Sequence, residues 1–314
     1  LDSAHLSLAG TATNCSGGGT PWGSWLTCEE TYELPGNQAG KAHGFVFEVP
    51  AAAPGLVAPI ALTDMGRFKH EAAAIDPRTG SVYMTEDHEQ GLVYRFLPNA
   101  NGELAKGGQL QALALMDQAG AETYNRSGTE FSVGEPVPVR WIDVEDVTAP
   151  NSDLHLRGHA SGAARFARGE GMAWAIEPSG SATYFACTTG GAARRGQIWR
   201  YVPSRFEGTG DEASAPGQLV LHYESPGAQI MDMCDNLVVA PWGHLIICED
   251  GDDEQFVHGL SPNGRVYAIA RNAHADRSEF AGACFSPDGT TLFVNVQTPG
   301  ATYAITGPWQ SLAV

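Results

Sequence analysis

Cys15, Glu71 and Asp235 each lie six residues before a proline, and Glu170 and Glu279 each lie eight before one. The prolines are Pro21, Pro77, Pro241, Pro178 and Pro287, and each is followed within three residues by a glycine, at Gly23, Gly80, Gly243, Gly180 and Gly289. Strand side chains alternate faces, so offsets of six and eight put all five groups on corresponding faces of five similar strands. A thiol and four carboxylates repeated in this way suit polyvalent cations. Thiolate favours transition metals, and carboxylate oxygens favour hard ions such as calcium. The plain alternatives are a buried cysteine beside a tight turn and solvated acids at strand ends.

A second acidic pattern reinforces the first. Glu29/Glu30, Glu86/Asp87 and Glu249/Asp250 stand six and seven residues after Gly23, Gly80 and Gly243. Asn236 follows Asp235 and adds an amide oxygen. Arg168 precedes Glu170 by two residues, so both point the same way, either as an ion pair or as an oxyanion holder beside a metal ligand. Gly17–Gly19 let a loop crowd a ligand. No lysine follows them, which excludes a phosphate-cradling loop, and His70-Glu71 fails as a zincin motif because position 74 is Ala. A nucleophile elbow is also absent, since Gly158-His-Ala-Ser161-Gly162 has the wrong spacing.

The elements that must carry these groups are strands. Apolar and polar residues alternate on both sides of every Pro-to-Gly turn, and a later strand opens on Gly44, Gly91, Gly196 and Gly264. Such repeats predict an all-β propeller, with the 314 residues forming a single domain. Six blades are expected, five legible and one assigned to the region before Leu1. The proline spacings are 56, 101, 63 and 46 residues, and the long gap predicts an insertion near 104–165 that packs over one end and walls the site. Cys28, Cys187 and Cys248 take matching places after the turns and read as small buried hydrophobes, not as a disulfide framework.

Composition bounds the partners. With 36 acids against 18 bases the net charge is −18, which argues against nucleic acid. No apolar run approaches a membrane span. An anionic substrate would require cations or arginines to invert the local field.

Asn14-Cys15, Thr20-Pro-Trp-Gly23 and Thr27-Cys-Glu-Glu30 together resemble the signature of the PhoX alkaline phosphatase family. Gly66-Arg-Phe68 with His70-Glu71, Arg168-Gly-Glu170, Asp235-Asn-Leu237, Cys248-Glu-Asp-Gly251 and Glu279-Phe-Ala-Gly282 extend the resemblance over nearly the whole chain. It implies a monomeric, exported phosphomonoesterase, periplasmic or extracellular, acting on small phosphate esters with Fe3+ and Ca2+ in the propeller channel. The iron ligands would be Cys15, Glu71 and Glu30 or its neighbour Glu29, with Glu170 on calcium or bridging. Asp235, Asn236, Glu249, Asp250 and Glu279 would serve calcium. Arg168 would hold the phosphate, with Asn14 and Arg194 or Arg195 as further candidates. Two other readings compete: a calcium-dependent propeller lactonase or ester hydrolase, and an inactive calcium-stabilised binding module.

Overall fold

Every Pro-to-Gly turn joins the first two strands of an antiparallel meander. In the computed structural model, which describes residues 4–36 and 40–312, Gly80 N–H donates to Asp76 O at 2.8 Å and Gly243 N–H to Ala240 O at 2.8 Å. The turn glycines have positive φ, 84° at Gly23 and 86° at Gly243. Proline presets the turn's first central residue and glycine takes the left-handed one, so the chain reverses without strain.

Two compact units result, Leu1–Ala121 with Pro138–Arg165 and Ser204–Gly217, and Glu122–Val137 with Phe166–Pro203 and Gln218–Val314. In the first unit β1 (Asn14–Gly19), β2 (Ser24–Glu29) and β3 (Val46–Pro50) form one meander. A second contains β4 (His70–Ile75), β5 (Val82–Glu86), β6 (Val93–Pro98), β7 (Gly108–Leu115) and β8 (Pro136–Asp143). The second unit holds three more: β9 (Gly169–Glu177) to β12 (Gln218–Glu224) through β10 (Gly180–Cys187) and β11 (Gln197–Val202); β13 (Cys234–Val239), β14 (Leu245–Glu249), β15 (Phe256–Leu260) and β16 (Val266–Arg271); and β17 (Phe280–Phe285), β18 (Thr291–Val296) and β19 (Ala301–Thr306). Five meanders among the described residues correspond to the five sequence repeats.

The insertion begins later than expected. β7 is the fourth strand of the second meander, and the irregular chain starts only after it. Its return leg includes the short helix α1 (Leu154–Ala160) and is fastened by Arg67, which is 1% exposed. That guanidinium donates to Thr148 O at 3.0 Å, Ala149 O at 2.6 Å, Ser152 Oγ at 2.9 Å and Tyr32 O at 3.0 Å.

Alternation along the strands supplies the cores. Leu26, Cys28, Val46, Met84, Tyr94 and Phe96 are buried in the first unit, and Ile198, Leu245, Ile247 and Leu260 in the second. Cys28, Cys187 and Cys248 are fully buried, and none of the six cysteines is in a disulfide. Burial raises the pKa of each of these three, so they remain protonated packing groups.

One core-edge histidine gives a pH prediction. His222 on β12 packs edge-on against Tyr184, and burial, helped by Arg200, lowers its pKa from 6.5 to about 4. Between these values the unfolded chain binds the proton and the folded chain does not. Stability should therefore fall as pH drops from 6.5 towards 4, by about 2–3 kcal/mol from this group. Urea midpoints measured at pH 7 and pH 4.5 should converge in His222→Gln relative to the parent; equal pH slopes would refute the assignment.

Candidate metal centre

The innermost strands are not regular. β1 pairs with β2 at Asn14↔Glu29 and again at Gly17↔Thr27, with a bulge between. β4 repeats this between His70↔Glu86 and Ala73↔Met84, and β13 between Cys234↔Glu249 and Leu237↔Ile247. Cys15, Glu71 and Asp235 each follow directly on the last paired residue, inside the bulge. Bulges re-aim side chains and are frequent beside active sites. One irregularity, repeated three times, thus presents one potential ligand each time.

In the first unit the ligand atoms of Cys15, Glu30 and Glu71 lie within 4.8 Å of one another. Cys15 is exposed, Glu30 half-buried and Glu71 buried. Glu30 hydrogen-bonds Asp87, and burial followed by the Asp87 charge raises its pKa. Lys69 Nζ stands 3.4 Å from Glu30 Oε1 and offsets only part of this negative charge. A thiol with two converging carboxylates is a donor set that fits a transition ion.

The second unit builds an oxygen cluster. Asp235 is hydrogen-bonded by Glu170 and Glu279, and its pKa is raised to about 6 by burial and then by the nearby Asp250 charge. Arg168 Nη2 donates to Glu170 Oε1 at 2.8 Å. Arg168 itself sits at φ 56°, a left-handed conformation uncommon for a residue with a side chain, at the entrance to β9. Without a cation these carboxyls must share protons; a hard ion would let all of them ionise as ligands.

Glycines allow the close approach. A Cβ on Gly18 would lie 1.9 Å from Ala73 O, so β1 meets β4 backbone to backbone. A Cβ on Gly171 would lie 2.7 Å from Asp235 O, and the same device serves β9 and β13. The glycine run read as crowding a ligand therefore crowds a neighbouring strand.

Other sequence candidates are placed elsewhere. Glu29 is fully buried and accepts from Ala12 N–H, Gly44 N–H and Phe45 N–H, with His43 Nδ1 at 2.6 Å. Glu249 accepts from Asp232 N–H and Phe256 N–H and pairs with His258 at 2.9 Å. Both carboxylates tie the following loop to the blade through these hydrogen bonds. Glu86 does the same through Leu92 N–H and Tyr94 Oη. The second acid of each pair is within reach of neighbouring candidates: Glu30 converges with Cys15 and Glu71 and hydrogen-bonds Asp87, and the Asp250 charge acts on Asp235. Asn236 Oδ1 accepts Ala283 N–H at 3.0 Å and joins two strands instead of facing Asp235. Asn14 donates to Thr27 Oγ1 and lines a separate cavity with Trp25 and Val49. Arg195 is held by Asp232 at 2.9 Å. Asp87 is the residue the candidate set lacked; its place as the second member of an acidic pair was the available signal.

A family model described as alkaline phosphatase PhoX matches residues 1–300. The structure of Pseudomonas fluorescens PhoX in complex with vanadate, a transition state analogue, superposes with a TM-score of 0.67 at 22% identity, covering 91% of this chain and 65% of that one. This chain therefore spans just under two thirds of that protein, and the likeness establishes the fold, a β-propeller. Virginiamycin B lyase from Staphylococcus aureus (TM-score 0.39, 11% identity, covering 96% and 73%) is more distant. So is a putative 6-phosphogluconolactonase from Bacteroides uniformis (TM-score 0.38, 11% identity, covering 91% and 79%). No curated protein matches.

Proposed function

Because this chain belongs to the family of PhoX alkaline phosphatases, we propose that it hydrolyses phosphate monoesters at a cation centre held by its inner strands. The observation that carries this reading is the convergence of Cys15, Glu30 and Glu71, a thiol and two carboxylates within 4.8 Å. A ferric ion suits that set, and calcium suits the all-oxygen group of Glu170, Asp235, Asp250 and Glu279. Bound cations would supply charge neutralisation for the phosphoryl group, which resolves the difficulty of an anion entering a protein of net charge −18.

The chain's own groups then have defined tasks. Arg168 binds the phosphate oxygens, its planar fork matching two of them at once. Glu170 fixes the plane of that fork through the 2.8 Å hydrogen bond. Export to the periplasm or the exterior accords with the family, and among the described residues no helix is long and apolar enough to cross a membrane.

Elemental analysis of the purified chain beside a chromogenic phosphate-ester assay tests the reading. Bound iron with calcium and ester turnover are expected, and Arg168→Met should lower kcat/KM by about 10²-fold or more. A metal-replete parent that releases no phosphate would overturn it.

A further inference from the structure

We infer that Arg126, on the connection between β7 and β8, is a second substrate-anion residue acting beside Arg168. The inference rests on the phosphatase reading and adds a binding group to it. Arg126 belongs to the same compact unit as Arg168, and a short run of hydrogen bonds connects the two. Arg126 Nη2 donates to Thr189 Oγ1 at 3.0 Å and lies 3.4 Å from Thr189 O. Thr189 N–H in turn donates to Ala167 O, and Thr188 N–H to Arg168 O at 3.0 Å. The guanidinium of Arg126 is thus anchored on the residue that pairs with the neighbour of Arg168, at the end of β9 and β10 where Glu170 also lies.

That anchorage is built, not incidental. The preceding Asn125 takes φ 53°, and its amide ties down the loop on both sides. Its Oδ1 accepts Glu130 N–H and Phe131 N–H, and its Nδ2 donates to Phe131 O and Glu224. Gly191 N–H donates to Tyr124 O at 2.8 Å, pinning the segment to the β10–β11 loop. The Arg126 guanidinium stacks 4.7 Å from the centre of the Tyr124 ring. A ring beneath and a threonine at one edge hold the plane of the fork.

Arg194 lies in that same β10–β11 loop, also with positive φ, at 53°. In a chain with 36 acids and 18 bases, the segments that carry Arg126 and Arg194 are both tied to the loop that follows β10, whose first residues pair with Ala167 and Arg168. Anion recognition explains that distribution; blade packing does not require it. Because Thr189 and the Tyr124 ring orient Arg126, its contribution belongs to binding of the phosphate dianion, not to the bond-breaking step.

The test compares the parent with Arg126→Met and Arg126→Lys, using p-nitrophenyl phosphate hydrolysis, inhibition by inorganic phosphate and calorimetric phosphate binding. For Arg126→Met, KM and the phosphate inhibition constant should each rise about tenfold, with kcat changed less than threefold and the thermal midpoint retained. Arg126→Lys keeps the charge and loses the fork, so it should recover part of the affinity; it also carries the test if the methionine variant does not fold. Parent-like KM and phosphate affinity in either folded variant would overturn the inference, as would a fall in kcat with KM unchanged. A parent that binds phosphate but turns over no ester refutes hydrolysis alone, and the phosphate affinities still judge Arg126. A parent that binds no phosphate sinks both.

Discussion

Replacing Glu71 with glutamine should lower kcat by about 10³-fold and reduce the bound transition metal, because a neutral amide is a far weaker ligand than a carboxylate. Cys15→Ala should do likewise by removing the single soft donor of the set. Elemental analysis and steady-state kinetics on the same preparations separate loss of metal from loss of fold. In the metal-free proteins the order of stability should reverse. Glu71 is 3% exposed and its carboxylate converges on that of Glu30, so neutralising it relieves repulsion. Metal-free Glu71→Gln should be more stable than the metal-free parent by about 1 kcal/mol. Full activity with full metal content in both variants would refute the centre.

The largest effect on stability is expected at Arg67. Its guanidinium is the fastener of the insertion, donating to the carbonyls of Tyr32, Thr148 and Ala149 and to Ser152 Oγ. Methionine fills part of the volume but leaves these acceptors without their donor. Each unmet buried partner costs about 1 kcal/mol or more, so Arg67→Met should lose about 3 kcal/mol or more. For a chain of this size the thermal midpoint should fall by about 4–5 °C or more. The loss should be accompanied by early proteolytic cleavage within 144–153, since that segment is what the side chain holds. A variant with an unchanged midpoint would show that the insertion is secured by other contacts.

Much of this architecture was legible in residue order because proline and glycine act locally. The five turns, the strands flanking them and the inner position of Cys15, Glu71 and Asp235 follow from short-range stereochemistry. What was not legible depends on which face a residue takes within an irregular strand. Glu29 and Glu30 are chemically alike and adjacent; only the bulge between Asn14 and Gly17 and the loop from Gly44 decide which becomes a latch. Glu249 and Asp250 divide in the same manner. Asn236 looked like a calcium ligand because its amide oxygen is one, yet Ala283 N–H takes it, a partner 47 residues away. Arg126 lies in a stretch without periodicity, and its relation to Arg168 exists only through Thr189. Long-range pairing of that kind has no local signature.

The hydrogen atoms of Gly18 and Gly171 have one more implication, for ion choice. Main chain already touches main chain at both points, so neither donor group can contract, and any larger residue would prise it open. Small and large cations differ by only a few tenths of an ångström in preferred bond length. For a cation held between such strands, a frame with so little play would discriminate by radius as well as by affinity. Substituting alanine for either glycine would therefore be felt first as a changed preference among metals, with bulkier ions gaining at the expense of compact ones.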